Sequence, residues 1–143
     1  MPIYLAWGRG LPQWDAQIEP EPTTSLTLVD EIGRRLATSV QFAEPHADGE
    51  IELPDASRYR VSVAETKWLY VTWVFNYADA AGETVRELGV FLGGELVAGL
   101  PPGQRYFTAA QVAQPGDLYT MERFDKFTRS ASTRQVQAFV LPF

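Results

Sequence analysis

Hydrophobic positions along this chain recur with a period of two, the spacing of β-strands, far more often than with a helical period. The clearest run is Lys67-Trp68-Leu69-Tyr70-Val71-Thr72-Trp73-Val74-Phe75-Asn76-Tyr77. Alternation places Leu69, Val71, Trp73, Phe75 and Tyr77 on one face and Trp68, Tyr70, Thr72 and Val74 on the other. Both faces are apolar, so this strand is either central in a sandwich or meets another chain with its second face. Ala80-Ala81-Gly82 breaks the run. The segment Thr84 to Leu92 then returns as its expected antiparallel hairpin partner, with Gly89 marking a bulge or a close backbone approach.

Weaker signals complete the pattern. Val40 and Phe42 open a strand that reaches Pro45, and Asp48-Gly49 turns the chain into Ile51 and Leu53 as a hairpin would. Residues 118–124 and 133–143 read as two more strands, Gly93-Gly94 as a tight turn, and Gly99 to Gln104 as a loop. One short helix is expected near Thr27, with Asp30 three residues on and Leu28, Ile32 and Leu36 along one face; Gly33 limits it to a turn or two. Gly8, Gly10, Pro12, Pro20 and Pro22 interrupt residues 1–22, which read as an extended N-terminal arm holding one short strand at most and carrying Trp7 and Trp14. Residues 23–143 form the expected single antiparallel β domain. The fold class is therefore mainly β, an antiparallel β-sandwich-like domain with roughly six to eight strands and one short helix.

Composition narrows the chemistry. At 143 residues with 45% hydrophobic and 21% charged side chains, the chain is of the size and class that folds around one core. Its net charge of −6 argues against binding nucleic acid through a general basic surface. No apolar run of about 18 residues is present and the N-terminus lacks a signal-peptide pattern, so neither membrane insertion nor signal-directed secretion is expected. Cysteine is absent and His46 is the lone histidine, in a Pro-Ala-Asp-Gly context that reads as a turn. Glu65, Glu87 and Asp125 are scattered without catalytic spacing, and no phosphate loop, dinucleotide fingerprint or metalloprotease helix occurs. The expectation is a protein that is not an enzyme, with no catalytic residue, cofactor or metal. Charge is distributed unevenly: Glu44, Asp48, Glu50, Glu52 and Asp55 form an acidic stretch, and Arg123, Lys126, Arg129 and Arg134 a basic one. Such runs are usually solvated faces, and the sharper alternative is that they meet between subunits.

The segment Arg86-Glu87-Leu88-Gly89-Val90-Phe91 resembles the Arg-Glu-Ile/Leu-Gly-Val-Phe/Tyr pattern of tail-fibre and baseplate-associated proteins of tailed bacteriophages. Ala6-Trp7-Gly8, Trp14-Asp15, Leu28-Val29-Asp30-Glu31-Ile32-Gly33-Arg34-Arg35 and Leu100-Pro101-Pro102-Gly103-Gln104 with Tyr106 extend the likeness across the chain. In layout it is similar to small tail-region proteins of Pseudomonas-type siphophages. That resemblance implies a virion building block of the tail or baseplate, present in several copies in a symmetric assembly, bound to other tail and baseplate proteins and passing through the host cytoplasm during assembly. It carries over no catalytic or cofactor residue. Candidate interface residues are Trp7, Trp14, Trp68, Tyr70, Arg86, Gly89, Arg123, Lys126 and Arg129. The alternative function is a receptor- or carbohydrate-binding β-sandwich module, in which Trp14, Trp68 or Tyr106 would stack on sugar rings.

Overall fold

The first strand, β1 (Ile3–Gly8), carries no charge and is buried along its whole length, so it has no wet face and lies in the middle of a sheet. In the computed structural model, which describes residues 1–143, it is followed by β2 (Glu31–Leu36), β3 (Ser39–Pro45), β4 (Ile51–Glu52), β5 (Arg58–Val61), β6 (Trp68–Phe75), β7 (Thr84–Leu92), β8 (Glu95–Leu96), β9 (Tyr106–Thr108), β10 (Val112–Gln114), β11 (Asp117–Thr128) and β12 (Gln135–Pro142). Helix is confined to two 3-10 turns, Pro12–Asp15 and Ala109–Gln111. The chain is thus mainly β and antiparallel, as expected, and its two five-stranded sheets are the inventory a sandwich-like class calls for.

The residues gather into two compact units: Met1–Leu36 with Phe75–Gln135, and Ala37–Val74 with Val136–Phe143. In the first, the sheet runs β11-β7-β1-β2-β9, beside a two-stranded β10-β8 ribbon. Trp7 stacks on Phe75 with ring centroids 3.6 Å apart and planes 15° from parallel. Tyr4, Ala6, Leu28, Phe91 and Phe107 form a second apolar cluster. Gly89 lies between Ala6 and Met121, and a Cβ there would come within 2.9 Å of Leu28 and Leu118 side-chain carbons, so its close neighbours are side chains and not another backbone. Gly33 is tighter: its Cβ would meet the Phe107 carbonyl oxygen at 2.6 Å and the Tyr106 ring at 2.7 Å.

In the second unit the sheet runs β12-β6-β3-β5-β4. On β6 the alternation is as read, with Val71 and Trp73 fully buried and Trp68, Tyr70 and Thr72 half-buried on the other face. Trp73 packs edge-on against Phe139 of β12 at 6.0 Å. Tyr77 falls beyond the strand and is exposed.

Four expectations are corrected. The helix near Thr27 is absent: Asp30 takes a left-handed φ of 57°, and residues 31–36 are strand β2. An i, i+4, i+8 spacing is also a multiple of two, so Leu28, Ile32 and Leu36 fit either period. The hairpin between β6 and Thr84–Leu92 is not made, because β7 pairs with β1 and β11 while β6 pairs with β3. The Asp48-Gly49 turn does not pair β3 with β4; β5 lies between them and bonds both. Residues 1–22 are not an arm free of the core, since Ile3–Gly8 pairs on both sides and the breakers lie beyond it, and the boundary expected after residue 22 falls inside the first unit.

Candidate interaction surface

Four of the candidate residues meet at one corner of the first unit. The 3-10 turn Pro12–Asp15 presents Asp15 to Arg86, at 2.9 and 3.1 Å, and to Lys126 at 3.2 Å. Trp14 is buried beneath Arg123, whose guanidinium lies 4.2 Å from the indole, and donates its ring N–H to Glu19 at 3.1 Å. Arg123 in turn donates to the fully buried Glu87 at 3.2 Å and to the carbonyls of Glu19 and Pro20 at 3.1 and 2.9 Å. Glu87 accepts a further hydrogen bond from the Val29 amide. Burial is the dominant influence on the Glu87 carboxyl and raises its pKa, although Val29 and Arg123 pull the other way. These contacts tie the non-strand segment 9–30 down onto β7 and β11.

Asp15 gives this corner a pH signature. The hydrogen bond from Arg86, reinforced by Lys126, holds its carboxyl at about 2. A carboxyl whose folded pKa is depressed contributes stability above its unfolded value and loses it as pH falls towards the folded one. The melting temperature of the wild type is therefore expected to drop more steeply than that of Asp15→Asn between about pH 4 and pH 2. Parallel thermal melts across that range check it.

The other candidates divide. Trp7 is fully buried, Gly89 is enclosed in the sheet, and Arg129, only 2% exposed, donates to the carbonyls of Asn76, Asp79 and Thr133. Trp7, Trp14, Gly89, Arg123 and Arg129 are committed to contacts within this chain, which corrects their reading as interface residues: a side chain enclosed by its own core has no surface left for a partner. Arg86 is largely covered and Lys126 remains exposed. Otherwise the charge runs stay at the surface, where Glu44 pairs with Arg60 at 2.6 Å, Glu52 with Arg58 at 3.1 Å, and Arg134 lies over the Tyr77 ring at 5.0 Å.

Trp68 and Tyr70 are different. Cross-strand partners share a face, so the pairings Tyr70 with Gln41, Trp68 with Ala43, Ala43 with Val61 and Ile51 with Tyr59 place all of these on one face of the second unit's sheet. Since Phe139 faces Trp73, Val136, Ala138 and Val140 belong to the Trp68 face. No member of this face carries a formal charge, whereas the ion pairs of Glu44 and Glu52 lie on the opposite one. Tyr59 packs edge-on against Trp68 at 5.4 Å, and Lys67 sits 5.2 Å from the Trp68 ring at the border. Val61 and Val136 are 38% and 63% exposed. Sequence reading missed Tyr59 and Val61, although Arg58-Tyr59-Arg60-Val61 alternates as a half-buried strand does.

No group of three or more His, Cys, Asp or Glu side chains is arranged to hold a metal ion. No helix is long and apolar enough to cross a membrane. Comparison with curated proteins finds no match. A protein-family comparison matches the chain from residue 1 to residue 143 to the family described as baseplate wedge 3 tail fiber network component. The match spans the entire chain, and the protein belongs to that family, a structural component of the phage baseplate and its tail-fibre network.

Proposed function

We propose that this protein is a structural link of the baseplate and tail-fibre network that docks onto neighbouring virion proteins through the uncharged, aromatic-bearing face of its second unit. The observation that carries this reading is the face itself: Tyr59, Trp68, Tyr70, Val61 and Val136 lie together on it with no charged residue among them. Aromatic side chains with depleted charge mark the centre of protein interfaces, and a few such anchors dominate affinity. Of the exposed large hydrophobic residues, Val61 and Val136 lie on this face. The first unit, with its arginine-braced loops, serves as the rigid support. Assembly in the virion tail in several copies, and the narrower kinship with Pseudomonas-type siphophage proteins, belong to the same proposal.

The carbohydrate-binding alternative has less support. Trp7, Trp14 and Trp73 are buried, and Trp68 stands edge-on to Tyr59 instead of forming a flat stacking platform. Tyr106 is enclosed by its own sheet, which pushes its hydroxyl pKa far up.

Tyr70→Glu places a charge at the middle of the proposed docking face. Its incorporation into particles is expected to fall by at least about tenfold, the scale of losing one interface anchor. Its melting temperature should stay within a few degrees of the wild type. Quantitative mass spectrometry of purified particles reads the first and a thermal melt the second; full incorporation of a folded Tyr70→Glu protein contradicts the docking face.

A further inference from the structure

Outer strands of a sheet present unpaired backbone donors and acceptors, and proteins normally blunt them with charge, bulges, shortness or a covering segment. The ribbon strands β8 and β10 have only two and three residues, and three of the four outer strands of the five-stranded sheets are protected as well. β4 has only two residues and β9 only three. β11 has twelve, but it is interrupted by two register shifts and carries Asp117, Glu122, Arg123, Asp125 and Lys126. Its Arg123 amide is also capped by the Glu21 carboxylate at 2.7 Å.

β12 has none of these devices within its length. It is eight residues long, Gln-Val-Gln-Ala-Phe-Val-Leu-Pro, with no charged side chain and with its proline only at the end. It lies outermost in its sheet, and Val136 and Ala138 are exposed. Its seven residues before Pro142, at about 3.4 Å each, offer roughly 24 Å of edge.

We infer that β12 is a strand-addition site, and that its occupant is β12 of a second copy of this chain, paired antiparallel about a two-fold axis. In such a pair residue i faces j and j faces i, so any charged position tends to meet its own kind or a near neighbour of the same sign. Like charges directly opposite are destabilising, and a strand with no charge escapes that penalty in every register. A partner selected by charge would find nothing on this edge to complement. The inference rests on the backbone edge of the sheet; because Val136 and Ala138 also border the docking face, Tyr70→Glu serves as the control, leaving a dimer made through the edge intact and breaking one made through the face.

Sedimentation equilibrium of the full chain tests it. The wild type is expected to reach twice the 16.0 kDa chain mass as concentration rises. The double variant Val136→Lys/Ala138→Lys alters two exposed side chains and is expected to weaken dimerisation by at least about tenfold, equivalent to ~1.4 kcal/mol. Val136→Glu/Ala138→Glu should do the same alone, and mixing the two variants should restore a dimer containing one of each, which also proves that both are folded. A wild type that stays monomeric, a Lys variant that dimerises as the wild type does, or a mixture that stays monomeric overturns the inference.

Discussion

Arg123→Met is expected to destabilise the protein by about 3–5 kcal/mol, the range for removing one partner of a buried ion pair. Glu87 is fully buried and Arg123 is the guanidinium beside it, at 3.2 Å, so the substitution strands a carboxylate in the core. The melting temperature at neutral pH should fall by roughly 10–15 °C. Glu87 already has a raised pKa from burial, and loss of the arginine raises it further. A carboxyl with a raised folded pKa takes up a proton on folding, so its penalty grows as pH rises from the unfolded value through the folded one. The deficit of Arg123→Met relative to wild type should therefore shrink below about pH 4.5, where the carboxyl is protonated in both states. Glu87→Gln/Arg123→Met, which keeps an acceptor for the Val29 amide without the charge, should recover most of the loss. Thermal and denaturant melts of the single and double variants across pH check all three statements.

Trp7→Ala should cost a similar 3–5 kcal/mol, the usual range for a large aromatic removed from a core. Trp7 is fully buried, stacked on Phe75 and edge-on to Phe127 at 5.6 Å. Its indole N–H has no hydrogen-bond partner, so Trp7→Phe removes an unpaired buried donor along with the volume. The gain from the first offsets part of the loss from the second, and Trp7→Phe should cost no more than about 1–2 kcal/mol. Denaturant midpoints measure the ratio. An interface tryptophan would give the reverse pattern, with assembly lost and the melting curve unchanged.

How far the fold could be read in advance depends on how each element carries its signal. β3, β6 and β12 were legible because each shows an apolar period of two. β1 was not, because Ile3–Gly8 is short, uniformly apolar and followed by glycine and proline, so it has no period to read. Pairing was also hidden. Neighbours in sequence usually pair, but β7 lies between β1 and β11, and β5 separates β3 from β4. Of the candidate interface, Trp68 and Tyr70 were legible as the second apolar face of β6, whereas Tyr59 and Val61 alternate with arginines in a strand of only four residues. Arg123 and Arg129 were the least legible. A guanidinium can be solvated or satisfied inside by carbonyls and carboxylates, and only the fold brings Glu87 or the Asn76 and Asp79 carbonyls within reach.

The chain's two lysines are Lys67, beside Trp68 on the second unit, and Lys126, on β11 of the first. Lysine-reactive cross-linking of intact particles, read by mass spectrometry, therefore reports directly on which unit faces the neighbours. Docking through the second unit's uncharged face predicts cross-links from Lys67 to another virion protein, with Lys126 giving few or none. Cross-links to neighbours from Lys126 alone, with Lys67 unlinked, would contradict it.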